Sequence, residues 1–96
     1  MNWQVYIILG SDDSFYTGIT TDIERRFRQH AAGRGARYFR GRRPVRVVYL
    51  EQGHSRISAA RRECEIKAMN RKDKALLAAR QASPAVLPEI SCGGVA

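Results

Sequence analysis

A chain of 96 residues fits one domain, and a core of that size can form without metal or disulfide staples. Seventeen Lys and Arg against nine Asp and Glu give a formal charge of +8, which points to a polyanionic partner without choosing between nucleic acid and an anionic membrane. The two cysteines, Cys64 and Cys92, have no CxxC or Cys/His spacing and exclude a zinc site or a disulfide framework, and no apolar run approaches the roughly 20 residues of a membrane span.

The first residues, MNWQVYIILG, lack a basic region followed by a small-residue cleavage site, so a cytoplasmic, reducing compartment is expected. Residues 3 to 9 are β-branched and aromatic and predict a strand buried on both faces, ending at Gly10. Gly10 to Ser14 reads as a turn, and Phe15 to Thr20, interrupted by Gly18, as the second strand of an antiparallel hairpin. A roughly symmetric loop sets Tyr6 opposite Tyr16. Paired residues project from one sheet face, and a register shift of two keeps them there.

Thr21 with Glu24 three residues on matches a capping box, predicting a helix from Asp22 to about Ala32 that ends at Gly33. On a helical wheel Ile23 and Phe27 point inward, with Arg26 and His30 beside them and Arg25 and Arg28 well off that face. An arginine so close to the core edge calls for an anionic partner.

Arginine outnumbers lysine 14 to 3, and nine of these arginines fall between Arg25 and Arg46. The planar guanidinium suits bidentate phosphate contacts, which favours nucleic acid. Within this patch GRGARYFRGRRP, residues 33 to 44, is a Gly- and Arg-rich loop suited to a phosphate backbone through Arg34, Arg37, Arg40, Arg42 and Arg43. Val45 to Leu50 predicts a third strand, with Gly53 and His54 turning the chain and His54 on the surface. Ser55 or Ser58 caps a second helix reaching about Met69, in which Cys64 is expected in the core. Asn70 with Asp73 opens a third helix. Residues 83 to 96 read as a flexible tail, leaving one domain over residues 1 to 82.

The element order and spacings resemble the GIY-YIG nuclease superfamily, most closely its small stand-alone bacterial members. Gln4-Val5-Tyr6 stands at the GIY position and Tyr16-Thr17-Gly18 at the YIG position. Arg26 and His30 follow at the places of the family's helix arginine and its His or Tyr. Glu63 falls at the metal-binding glutamate. The resemblance covers roughly residues 3 to 78 and departs at Gln4, Thr17 and Phe39. It implies an α/β domain of the α+β type, a three-stranded antiparallel sheet flanked by helices in the order β-β-α-β-α-α.

The activity it implies is hydrolysis of a DNA phosphodiester by water with one divalent ion, Mg²⁺ or Mn²⁺. A tyrosine can act as base if neighbouring charge lowers its pKa, and Tyr6 and Tyr16 are assigned jointly, with Tyr38 in support. Arg26 would stabilise phosphoryl charge, His30 would bond phosphate or water, and Glu63 would be the single protein carboxylate on the metal. Gly18 is structural, permitting a bulge or close approach. Each residue also has a plainer reading: core tyrosines, a snorkelling Arg26, a helix-end His30, and Glu63 in an i,i+4 pair with Lys67.

Nothing here resembles a base-reading helix, so selection of DNA structure, branched or flapped, is expected over sequence. Larger relatives carry targeting domains, and their absence implies activity that is weak alone or dependent on a protein partner. The alternative is a nucleic-acid-binding module of the same fold without appreciable cleavage. A membrane-surface role lacks an amphipathic helix with exposed large apolar residues.

Overall fold

β1 (Trp3–Gly10) owes its nearly unbroken apolar run to its place in the middle of the sheet. The computed structural model describes residues 2–33 and 41–80. β2 (Phe15–Thr20) and β3 (Pro44–His54) pair antiparallel on either side of β1, in the order β2-β1-β3. Helix α1 (Ile23–Ala31) covers one face, and α2 (Arg56–Lys67) and α3 (Arg71–Arg80) cover the other. The order is β-β-α-β-α-α, as the sequence predicts.

Alternation along β1 feeds two cores. Tyr6 and Ile8 pack with Ile23 and Phe27 of α1 and with Val47 and Leu50. Val5 and Ile7 pack with Val48, Tyr49, Ala59 and Ile66 on the opposite face. Burial on both sides explains why β1 tolerates no charged residue.

The hairpin register differs from the symmetric expectation. Tyr6 pairs with Gly18, and Tyr16 with Ile8. The turn centres on Asp12 rather than Ser11, with Gly10 N–H on Ser14 O at 2.8 Å and Asp13 N–H on Gly10 O at 3.0 Å. Asp13 takes φ 64°, a left-handed conformation that aspartate tolerates. Moving the centre by one residue shifts every pair by two, so both tyrosines stay on the α1 face.

The α1 cap is also displaced by one residue. Asp22, not Thr21, is the N-cap, its carboxylate accepting from Arg25 N–H at 3.1 Å. The N–H of Asp22 goes to Thr20 Oγ1 at 3.1 Å, so the N–H of the observed cap is met by a strand residue and not by a first-turn side chain as in a capping box. Gly33, at φ 77°, follows the helix end as expected.

β3 is longer than the predicted Val45 to Leu50 and runs through Gly53 to His54, which pairs with Trp3. The Trp3 end of β1 offers a strand to pair with, so Gly53, at φ 78°, bends β3 instead of ending it. α2 starts at a Ser55 and Ser58 capping box, and Asn70 Oδ1 accepts from Asp73 N–H at 2.8 Å at the start of α3. Cys64 is exposed, contrary to its expected core position, because α2 buries only Ala59 and Ile66. Residues 83 to 96, with Cys92, lie outside the described residues.

Candidate active site

Tyr6 points to the α1 side of the sheet and lies across Gly18, its pairing partner on β2. A Cβ added at residue 18 would stand 2.5 Å from Tyr6 Oη and 2.7 Å from Cζ. Glycine therefore lets the phenol cross the strand. The hydroxyl meets His30 Nε2 at 3.1 Å. Tyr16 stands edge-on to His30, with ring centroids 5.3 Å apart, and lies 6.2 Å from the Tyr6 ring.

Burial divides the three rings. Tyr6 and His30 are each 1% exposed, whereas Tyr16 is half-buried. Desolvation pushes the Tyr6 phenol well above its ordinary value, reinforced by Tyr16 and Glu63 and opposed by Arg26. His30 is pushed down to about 4 by burial, with Arg26 adding to the effect. At neutral pH, then, Tyr6 keeps its proton and His30 is a neutral imidazole able to accept it.

Arg26 sits one turn before His30, half-buried, and donates from Nη1 to Gln29 Oε1 at 3.1 Å. Among the described residues it makes no ion pair with a carboxylate. The partner expected from the sequence is here a neutral amide, and partial exposure to water makes that arrangement tolerable.

Glu63 approaches from the other side of the sheet. Relative to the buried line Ala59 and Ile66, Arg62 and Glu63 occupy opposite flanks of α2, and Arg62 reaches Glu51 on β3. Glu63 is thereby turned toward β2, the edge that Tyr6 crosses, and its charge acts on the Tyr6 phenol. Its side chain is 22% exposed and pairs with Lys67 Nζ at 3.4 Å. Among the described residues no group of three or more His, Cys, Asp or Glu converges on a metal position. One accessible carboxylate is a hard oxygen donor that suits an ion keeping several waters and taking phosphate oxygens, so the donor set fits Mg²⁺.

Two contributors escaped the sequence reading. Gln4 is buried, and its Oε1 accepts from Ile23 N–H at 3.0 Å, satisfying a free donor at the start of α1. Glu51 anchors α2 as above. A polar side chain inside an otherwise apolar central strand was the available signal for Gln4. Of the loop residues, Arg42 pairs with Asp12 at 3.3 Å, and Arg43 is exposed, its N–H on Ser11 Oγ at 2.9 Å. Arg34, Arg37, Tyr38 and Arg40 lie outside the described residues.

Two tyrosines and a histidine in contact at one sheet edge, with the charges of Arg26 and Glu63 acting on the buried phenol, make up the candidate site. Residues 2–76 match the GIY-YIG catalytic domain, and the chain belongs to that family. Its similarity is to the small UPF0213 proteins. One from Haloquadratum walsbyi is 54% identical over 74 residues, covering 77% of this chain and 83% of the relative. The UPF0213 protein YhbQ of Salmonella paratyphi B is 38% identical, covering 92% and 89%. The solution NMR structure of a UPF0213 protein from Bacillus halodurans is 44% identical and covers 88% of this chain and 90% of its own, with a TM-score of 0.56. The family points to nuclease activity on DNA, and its members generally use divalent metals. Among the described residues no helix is long and apolar enough to cross a membrane.

Proposed function

We propose that the chain is a DNA endonuclease that hydrolyses phosphodiesters with a divalent ion, Mg²⁺ or Mn²⁺, at Glu63, and selects DNA structure more than sequence. The convergence of Tyr6, Tyr16, His30 and Arg26 at the β2 edge, with Glu63 turned toward it from the opposite face, carries this reading.

The two tyrosines divide the work by exposure. Tyr6, buried and holding its proton, donates to neutral His30 and keeps that ring in place. Tyr16, half-buried at the same edge, is open to an incoming water and is the better placed proton acceptor. As the water oxygen bonds phosphorus, its proton passes to the Tyr16 oxygen while the proton of the Tyr16 hydroxyl is released to solvent, and the bond to the leaving sugar oxygen breaks. That oxygen is protonated from solvent. Arg26, without a carboxylate among the described residues, has its guanidinium available for the phosphoryl oxygens, where charge grows. A divalent ion, when bound, supplies charge neutralisation at the phosphate and leaving oxygen.

The Glu63 and Lys67 pair favours a second reading, a DNA-binding module without appreciable cleavage. Incubation with supercoiled plasmid and with branched or flapped DNA, with and without Mg²⁺, separates the two. Cutting that needs Mg²⁺ and disappears in Glu63→Gln and Arg26→Ala supports the nuclease. Binding by all forms with no cutting supports the module, and cutting unaffected by both substitutions removes these residues from the site.

A further inference from the structure

A cluster of charged groups lies outside the site described above. Glu51, half-buried near the end of β3, accepts from Arg62 Nε at 2.8 Å and from Tyr49 Oη, and is hydrogen-bonded with His54 Nε2 at 2.7 Å. His54 is joined in turn to Ser58 Oγ at 2.9 Å, and Arg62 Nη1 donates to Glu65 at 3.1 Å. Burial pushes the Glu51 carboxyl up, but the bonds from Tyr49, Arg62 and His54 outweigh it and hold it below the usual range. The cluster thus behaves as a fixed ionic contact between β3 and α2.

Beyond that contact α2 is held at its first residue, where the Arg56 guanidinium lies 5.6 Å from the Trp3 ring centroid, and along its buried line. Its buried residues are Ala59 and Ile66, seven positions apart and nearly in line along the helix, so the helix can roll about them. Arg62 and Glu63 stand on opposite sides of that line, about 100° apart on the wheel. Whatever fixes Arg62 against β3 therefore also fixes the direction of Glu63 toward β2.

From this placement we propose that Glu51 and Arg62 are positioning residues, a rotational stop on α2 that sets Glu63 at the metal position. The inference rests on the reading of Glu63 as the metal ligand. With side chains reaching roughly 5 to 6 Å from the helix axis, a roll of about 10° moves a carboxylate by about 1 Å. A misplacement of that size at a reacting centre can cost about a hundredfold in rate. Loss of the stop should therefore be felt at the metal far more than in binding DNA.

The test follows Mn²⁺ titration of the whole protein by paramagnetic broadening of the backbone amides near Glu63 and Gly18, beside cleavage of one branched DNA over a range of Mg²⁺. Glu51→Gln, Arg62→Met, Arg62→Lys and Glu63→Gln are compared with Val47→Ala, a core change on the α1 face of the sheet, away from α2. Glu51→Gln and Arg62→Met should raise the Mn²⁺ needed for half-broadening about tenfold and lower kcat by about ten- to a hundredfold, with KM for DNA unchanged. Arg62→Lys, which keeps a donor to Glu51, should recover part of both. Val47→Ala should melt earlier but keep its metal response. Should one substitution prevent folding, the others decide. Wild-type broadening in the Glu51 and Arg62 variants, with Glu63→Gln defective, overturns the inference. So does an equal loss in Val47→Ala, which would mark general destabilisation. Broadening that survives Glu63→Gln overturns the metal reading itself, a different result from the first.

Discussion

Of the described glycines, Gly18 is the most closely approached, and the side chain that approaches it is Tyr6. In Gly18→Ala the new Cβ would lie within 3 Å of two Tyr6 atoms, so either the phenol leaves His30 or β2 moves. Overpacking of this kind costs about 1 to 3 kcal/mol, and DNA cleavage should fall by at least about tenfold as the ring shifts. Melting curves and His30 imidazole NMR shifts check both. Thr17, next to it, offers the opposite case: it is 2% exposed and its hydroxyl has no partner among the described residues. Thr17→Val keeps the shape and removes the orphan, so it should stabilise by about 1 kcal/mol in denaturant unfolding; a loss of that size would show that the hydroxyl is satisfied after all. His30 adds a pH dependence. Its pKa is about 4 in the fold against an ordinary 6.5, so between these values the unfolded chain binds the extra proton. Stability should then be full above about pH 6.5 and fall by up to about 3 kcal/mol as pH drops toward 4. His30→Gln should flatten the curve in that window, and an unchanged curve would assign the loss to another group.

At the scale of elements, the three helices and three strands were legible because each carried a local signal: an apolar run for β1, a cap residue for each helix, and glycines at the ends of β1 and α1. What was not legible lay in choices between adjacent residues. Thr21 and Asp22 are both competent caps, and the choice fell to Asp22 because Thr20, on the neighbouring strand end, takes the Asp22 N–H. The hairpin register turned on whether Asp13 would adopt a positive φ, and β3 outran its apolar pattern because pairing with β1 continued to Trp3. In the candidate site, residue types at motif spacing singled out Tyr6, Tyr16, Arg26, His30 and Glu63 as candidates, but their division into buried and accessible members is a tertiary property. Gln4 shows the limit. Its inward position on β1 matters because α1 returns over it and presents the Ile23 N–H, a meeting 19 residues apart. Gln4 and Tyr6 share one face of β1 and hold α1 near its beginning and its end. Gln4→Met keeps the bulk and removes the acceptor, and should cost about 1 to 2 kcal/mol while exposing the Ile23 amide to faster hydrogen exchange. Unchanged exchange at Ile23 would mean that water or another acceptor replaces it.

At the scale of the whole molecule, the charge of +8 is spread over more than one surface, the end of the arginine-rich loop and α3 among them. Ser11 at the hairpin tip binds both the N–H and the carbonyl of Arg43, through Oγ at 2.9 Å and N–H at 2.8 Å. This fastens the end of the arginine-rich loop to the tip of the hairpin that carries both tyrosines. A phosphate backbone held by that loop would be presented to a defined part of the sheet. Lys72 on α3 is exposed as well but has no such link among the described residues. Each phosphate neutralised releases counterions, and affinity then falls with salt with a slope of about 0.9 per contact. Binding of Glu63→Gln to one duplex, measured by fluorescence anisotropy over roughly 50 to 200 mM salt, should show a steep slope. Replacing Arg43 with Gln should reduce that slope by about one, and replacing Lys72 with Gln should leave it nearly unchanged. Equal effects from the two would mean that the net charge acts as a diffuse field, and that the loop does not direct DNA to the tyrosine edge.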